Sequence, residues 1–134
     1  MLSRKTKFAL VVLMAVFIVI YAVAKASTAK GEYDAFAKCL TEKGVKFAGA
    51  YWCGHCASQK KLFGKSIKYV DYVECDPKGS NANPEFCKNN AVKYYPTWIF
   101  PGGTKYEGEA SLEKLSELSG CELIKDTKNG QKGQ

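Results

Sequence analysis

The chain has 134 residues and a formal net charge of +7, which would suit a strongly acidic partner such as nucleic acid. Five Lys and Arg residues and no acidic residue lie in residues 1–30, which leaves a net charge of +2 over residues 31–134. The positive charge is therefore concentrated at the N-terminus, as in targeting segments, and nucleic-acid binding is not expected.

An unbroken apolar run, residues 8–24, follows these first basic residues. As a helix it would span about 25 Å, slightly less than the ~30 Å hydrocarbon core of a membrane, but it is longer than the apolar region of most signal peptides. We predict an uncleaved signal anchor in preference to a removed signal peptide, although residues 22–24 and 24–26 both fit cleavage sites. Both interpretations place residues 1–7 in the cytoplasm and the domain on the extracytoplasmic side.

One domain, residues 32–123, is predicted after a small polar linker at residues 25–31, and the polar residues 124–134 are predicted to be disordered. Hydrophobic periodicity, with Gly and Pro at the breaks, predicts the order helix, strand, helix, strand, helix, strand, strand, helix. The predicted elements are residues 32–43, 45–51, 53–63, 68–75, 85–91, 94–100, 104–108 and 111–120. This order predicts an α/β fold, a small mixed β-sheet flanked by helices.

A Cys-x-x-Cys motif, residues 53–56, lies where the second element, a strand, gives way to a helix. A thiol at a helix N-terminus faces unpaired N–H groups and the positive end of the helix dipole, which stabilise its thiolate. Cys53 is therefore predicted to attack disulfides, and Cys56, which lies one turn later, to resolve the mixed disulfide. When its imidazole is protonated, His55 stabilises the Cys53 thiolate. A stabilised thiolate favours the reduced state, so the disulfide of the pair becomes a stronger oxidant.

Four further cysteines complete a set of six in the predicted exported domain, which fits an oxidising compartment. Cys75 and Cys87 bracket the turn-rich loop 76–84, so a structural disulfide is predicted there, with a second redox relay as the alternative. Cys39 and Cys121 lie on the first helix of the domain and just after the last, and pairing is slightly favoured over two free thiols. A zinc site is disfavoured, because zinc ribbons usually combine two closely spaced pairs.

The motif and its surroundings resemble the thioredoxin superfamily. Trp52 precedes a Cys-Gly-His-Cys tetrapeptide, which is that of protein disulfide isomerase, and the sequence Tyr-Pro-Thr at residues 95–97 follows about forty residues later. A narrower resemblance, over about residues 32–121, is to the thioredoxin-like domain fused to or partnered with bacterial vitamin K epoxide reductase homologues. The segments that carry it are residues 49–56, 59–64, 72–75 and 95–98, together with Cys87.

This resemblance implies a thioredoxin-like domain that exchanges disulfides with cysteine-containing exported proteins. A separate, quinone-linked membrane thiol oxidase of the vitamin K epoxide reductase type would reoxidise it, and no cofactor or metal of its own is expected. Pro96 would be a cis proline that faces the cysteines, and Tyr95 and Thr97 would offer backbone groups to a substrate strand. Trp52 and Gly54, beside the cysteines, are expected at the same substrate site.

Aromatic residues near the motif have two interpretations: most are expected in the sheet core, and those nearest the cysteines and Pro96 are candidates for an exposed docking surface. They are Tyr51, Trp52, Tyr94, Tyr95 and Trp98.

The chain departs from the family pattern at two places. Many members of the narrower family have Pro-His between the cysteines, whereas this chain has Gly54 and His55, so the redox potential is open. The buried aspartate of thioredoxin, six residues before the first cysteine, corresponds to Phe47, so proton transfer at Cys56 needs another route, such as water or Glu74.

A membrane-linked reductase and a disulfide-stapled binding module without turnover are the alternative functions.

Overall fold

The computed structural model describes residues 4–27 and 30–126, which fall into two units that divide after Lys30. The first unit contains one helix, α1 (Arg4–Ser27). Within the described part of the chain, its segment Lys5–Val23 is the one helix long and apolar enough to cross a membrane, and a signal sequence near the N-terminus has the same properties.

The second unit is built on a four-stranded mixed sheet in the spatial order β2-β1-β3-β4. Strand β1 runs parallel to β2, and β3 is antiparallel to both of its neighbours, β1 and β4. The elements are α2 (Asp34–Glu42), β1 (Lys46–Gly49), α3 (Gly54–Phe63), β2 (Tyr72–Glu74), α4 (Pro84–Asn89), β3 (Thr97–Ile99), β4 (Lys105–Glu107) and α5 (Leu112–Ser119). The predicted order and the α/β class are confirmed, and the architecture is consistent with a thioredoxin-like fold.

The strand register places Phe47 opposite Tyr72 on one side and opposite Trp98 on the other. The Phe47 ring stacks on Trp98 at 4.7 Å and meets the Tyr72 ring edge to face at 5.1 Å. Since alternate residues of a strand share a face, Gly49 and Glu74 lie on this same face of the sheet. The main core cluster includes these rings and the buried side chains Phe36, Leu40, Phe63 and Leu115.

Two local predictions are wrong. The strand expected from residue 68 begins only at Tyr72, because Gly64–Tyr69 forms a 3₁₀ helix. The buried Ser66 hydroxyl holds this segment against the start of α2: it accepts a hydrogen bond from the Tyr33 N–H at 2.9 Å and donates one to Asp34 at 2.8 Å.

The spacing of Leu112, Leu115 and Leu118 in the sequence predicts that all three face the core, but Leu118 is 37% exposed. A spacing of three residues falls short of a full turn of 3.6, so each step of three rotates the side chain by about 60° and the second step carries Leu118 off the buried face. Leu118 instead lines a shallow surface depression with Val45 and Phe100.

Disulfide bonds join Cys39 to Cys121 and Cys75 to Cys87. The first ties α2 to the segment after α5, and the second closes the loop between β2 and α4. Cys53 and Cys56 are the two free cysteines in the described part of the chain.

The described part of the predicted tail, residues 124–126, is held against the start of the domain. The Asp126 N–H donates to the Glu32 carbonyl at 2.6 Å, the Asp126 carboxylate accepts from the Ala35 N–H at 2.9 Å, and Lys125 pairs with the Glu32 carboxylate at 2.8 Å. Residues 127–134 lie outside the described residues.

The two disulfides are expected to differ in their effect on stability, because a bond that closes a longer loop removes more entropy from the unfolded chain. Their sequence separations of 82 and 12 residues correspond to about 4.5 and about 3 kcal/mol of unfolding free energy. The variant Cys39→Ala/Cys121→Ala should therefore be less stable than Cys75→Ala/Cys87→Ala. Denaturant unfolding of both full-length variants in detergent, with Cys53 and Cys56 kept oxidised, measures the difference, and the reverse order would contradict it.

Candidate active site

The Cys-x-x-Cys motif lies between the carboxyl end of β1 and the first turn of α3. Cys53 was expected as the first helical residue and is instead the N-cap of α3, one position earlier. Its Sγ accepts a hydrogen bond from the Cys56 N–H at 3.2 Å. This N–H is one of the donors that a helix leaves unpaired at its N-terminus, so negative charge on the Cys53 sulfur has a donor in place.

The two thiols differ in access and in acidity. Cys53 is 7% exposed and Cys56 is 1% exposed, so Cys53 is the outer sulfur and Cys56 the inner one. Burial, together with the hydrogen bond and the charge of the neighbouring Cys53, raises the pKa of the Cys56 thiol to about 12. At neutral pH Cys56 is therefore a protonated thiol, and it must lose its proton before it can attack a disulfide.

Cys56 is buried because Gly49 allows its sulfur to approach the backbone of β1. A Cβ added at Gly49 would lie 2.8 Å from Cys56 Sγ and 3.1 Å from the ring carbon Cε2 of Tyr72, which is too close for a side chain. The Tyr72 hydroxyl donates to Glu74 Oε2 at 2.8 Å, and the Lys60 ammonium lies 3.5 Å above the Tyr72 ring. Burial and the Glu74 carboxylate raise the pKa of Tyr72, so its phenol keeps its proton.

His55 lies on the solvent side of the motif and is paired with a carboxylate that sequence reasoning missed. Its Nδ1 is 2.6 Å from Oε1 of Glu109, in the connection between β4 and α5. The two residues are 54 positions apart in the sequence, and no motif marks Glu109. The neighbouring Gly54 faces open space, since a Cβ added there would meet no atom within 4 Å.

Trp52 is exposed but held in place. Its indole N–H donates to Asp76 Oδ2 at 2.7 Å, and its ring meets Tyr95 edge to face at 6.1 Å. The backbone N–H of Lys78, followed by this indole N–H, lowers the pKa of Asp76, so the acceptor stays ionised at neutral pH. Asp76 is a second residue that the sequence pattern does not single out.

The five aromatic residues considered above separate into two groups. Trp98 is fully buried in the sheet core and Tyr95 is partly buried, whereas Tyr51, Trp52 and Tyr94 are each more than half exposed. The expectation that most of them belong to the sheet core is therefore wrong, because three rings lie on loops beside the motif and the proline.

The segment 95–97 enters strand β3 through a cis peptide bond between Tyr95 and Pro96. The Pro96 carbonyl accepts from the Gly108 N–H at 2.7 Å. Thr97 lies within the sheet, opposite Ala48 on one side and Glu107 on the other. The backbone of Thr97 therefore lies between two paired strands, whereas Tyr95 precedes the ladder.

The disulfide between Cys75 and Cys87 removes two of the four thiolates that the zinc alternative requires. Among the described residues, no group of three or more His, Cys, Asp and Glu side chains is arranged to hold a metal ion.

No protein-family model matches the chain. The chain is 37% identical over 101 residues to thiol-disulfide oxidoreductase LTO1 of Arabidopsis thaliana, a match that covers 72% of this chain and 27% of that protein. It is 37% identical over 87 residues to protein disulfide isomerase-like 2-2 of Oryza sativa subsp. japonica, with 54% of this chain and 22% of that protein covered. A third relative, protein disulfide isomerase-like 2-1 of the same organism, is 33% identical over 88 residues, with 59% and 24% covered.

All three names denote disulfide chemistry. The matched part amounts to about a quarter of the length of each relative, so the similarity concerns one segment of each of them.

The variant Cys53→Ser leaves Cys56 as the one free thiol of the described residues and is expected to react very slowly with iodoacetamide. Burial does not depend on Cys53 and still raises the pKa of Cys56 in this variant, so the rate should continue to rise about tenfold per pH unit above pH 9. Mass spectrometry of the alkylated full-length chain measures this rate, with Cys56→Ser as the matched variant. A plateau near pH 9, the ordinary value for a thiol, would show that Cys56 is not perturbed.

Proposed function

We propose that this protein is a membrane-tethered thiol–disulfide oxidoreductase that passes a disulfide from Cys53 and Cys56 to cysteine-containing exported proteins. One observation carries the proposal: the two free cysteines form an unequal pair, an outer sulfur with an N–H donor and an inner thiol with a pKa of about 12. Disulfide exchange needs this division between an attacking and a resolving thiol. The relatives support protein disulfide oxidoreductase activity.

In the oxidising direction, a client thiolate attacks the Cys53 sulfur of the oxidised pair. A mixed disulfide forms, and Cys56 leaves as a thiolate that takes up a proton. A second client thiolate then attacks the client sulfur of the mixed disulfide, so that Cys53 leaves as a thiolate and the client gains a disulfide. Two electrons pass from the client to the pair.

The proposed direction, oxidation of the client, follows from the residues beside Cys53. A protonated His55, hydrogen-bonded to Glu109, stabilises the Cys53 thiolate and hence the reduced state, which makes the disulfide a stronger oxidant. The reduction potential of thioredoxin is about −270 mV and that of protein disulfide isomerase about −180 mV, and this difference in oxidising strength corresponds to roughly 4 kcal/mol.

The exposed rings of Tyr51, Trp52 and Tyr94 offer an apolar surface for unfolded client chains beside the outer sulfur. The hydrogen bond to Asp76 holds the Trp52 indole in place, so less side-chain entropy is lost when a client binds.

The proposed location is the extracytoplasmic side of a membrane, with α1 as the anchor and the basic N-terminus in the cytoplasm. Two disulfides outside the motif fit an oxidising compartment. The proposed reoxidant is a quinone-linked membrane thiol oxidase of the vitamin K epoxide reductase type, which would accept two electrons from the reduced pair. The sequence resemblance supports this partner.

Trapping of mixed disulfides tests the proposed function in cells that express the full chain. Cys56→Ala should accumulate reductant-sensitive adducts with exported proteins, because the mixed disulfide at Cys53 loses its resolving thiol. Cys53→Ala should form none, and the double variant Cys53→Ala/Cys56→Ala controls for capture by the other cysteines. Equal adducts in Cys53→Ala and Cys56→Ala, or none in either, would favour a binding module without turnover.

A further inference from the structure

Each exchange cycle requires the Cys56 sulfur to lose and regain a proton, yet that sulfur is nearly inaccessible to solvent. The two β1 residues on the same face as Cys56 carry no ionisable group. Phe47 packs between the rings of Trp98 and Tyr72, and Gly49 has no side chain. Side chains that relay the proton therefore have to come from another element.

Strand β2 brings such groups to the inner sulfur. A Cβ added at Gly49 would lie 2.8 Å from Cys56 Sγ and 3.4 Å from the Tyr72 hydroxyl oxygen, so both atoms lie close to this one point beside the backbone of β1. Glu74 lies opposite Gly49 in the parallel register, on the same face as Tyr72. The Tyr72 hydroxyl donates to Glu74 Oε2 at 2.8 Å, so the hydroxyl nearest this point is hydrogen-bonded to a carboxylate.

Glu74 is a buried residue, 5% exposed, and its side chain is fixed by its surroundings. Its Oε1 accepts a hydrogen bond from the Asp76 N–H at 3.0 Å. Gly79 packs so closely that a Cβ added there would lie 2.4 Å from Glu74 Cγ. The loop after β2 therefore holds Oε2 in place toward the Tyr72 hydroxyl.

We propose that Tyr72 and Glu74 form the proton relay of Cys56, an inference that rests on the proposed exchange function. In the resolving step, the Cys56 thiol proton passes to the Tyr72 oxygen while the Tyr72 proton passes to Glu74 Oε2. The resulting Cys56 thiolate attacks the Cys53 sulfur of the mixed disulfide, and the client leaves as a thiolate. In the oxidising direction the same proton returns from Glu74 through Tyr72 to the released Cys56 thiolate.

The charged and titratable groups around the relay are compatible with this role. Helix α3 contributes Lys60, whose ammonium lies 3.5 Å above the Tyr72 ring, together with the two motif thiols. The loop after β2 contributes Asp76, and the segment before β3 contributes Tyr95, a phenol whose pKa burial raises, as do the charges of Asp76 and Glu74. The raised pKa of Tyr72 itself keeps the phenol neutral at rest, so it transfers a proton without storing a negative charge.

Stopped-flow reaction of the reduced motif with dithiobis(nitrobenzoate) separates the two thiols, in the full chain in detergent with the other disulfides intact. Attack by Cys53 releases one coloured aromatic thiolate, and resolution by Cys56 releases a second. Tyr72→Phe and Glu74→Gln should each slow the second release about 100-fold at neutral pH and leave the first unchanged. The deficit should shrink as the pH rises, because hydroxide then removes the Cys56 proton directly.

Tyr69→Phe and Glu107→Gln are the matched controls, since each makes the same chemical change outside the relay, and both should behave like the unmodified chain. The relay would be overturned if the second release in Tyr72→Phe were as fast as in the unmodified chain at every pH. A deficit that stays constant with pH would also overturn it, because such a deficit indicates a structural defect. Absence of the second release in the unmodified chain would instead overturn the proposed exchange function.

Discussion

The close approach of the Cys56 sulfur to the backbone at Gly49 is the contact on which the site depends. It places one thiol inside the domain and leaves the other at the helix N-terminus, so two cysteines three positions apart have different environments. Burial raises the pKa of Cys56 to about 12, and the Cys56 N–H in the first turn of α3 donates a hydrogen bond to the sulfur of Cys53. The proposed division of work between the thiols, and the need for a proton route, both follow from this geometry.

The rest of the fold maintains that contact. The β1-α3-β2 unit aligns Gly49 with Glu74 and Phe47 with Tyr72, which places the groups of β2 beside the inner sulfur. Buried Gln59 of α3 accepts from the Ala110 N–H at 2.7 Å and donates to the Ala110 carbonyl at 2.9 Å, which fixes the helix to the segment before α5. One disulfide ties α2 to the segment after α5, and the other ties the end of β2 to α4. Cys53 and Cys56 take part in neither disulfide and are free thiols.

Local patterns in the sequence predicted the elements and the position of the motif, since helix and strand periodicity depend on near neighbours. The apolar spacing of Tyr33, Phe36, Ala37 and Leu40 predicts one buried helix face. Phe36, Ala37 and Leu40 are buried in α2, and Tyr33 is half-buried at its N-cap. Contacts between distant residues had no such signal: Glu109 reaches His55 across 54 positions, and Asp76 reaches Trp52 across 24. The alternation of side chains along a strand places Tyr72 and Glu74 on one face of β2. The parallel pairing of β2 with β1, which the sequence does not show, places both side chains on the same face of the sheet as Cys56.

A site-resolved redox titration of the full chain tests the central claim, that Cys53 and Cys56 are the exchanging pair. The chain is equilibrated with glutathione buffers of graded potential, alkylated, and analysed by mass spectrometry for the state of each cysteine. We expect this pair to equilibrate reversibly at a potential above that of thioredoxin, about −270 mV, while the other two disulfides stay closed. A pair that does not equilibrate, or earlier opening of either other disulfide, would contradict the claim, and a potential at or below that of thioredoxin would contradict the proposed direction.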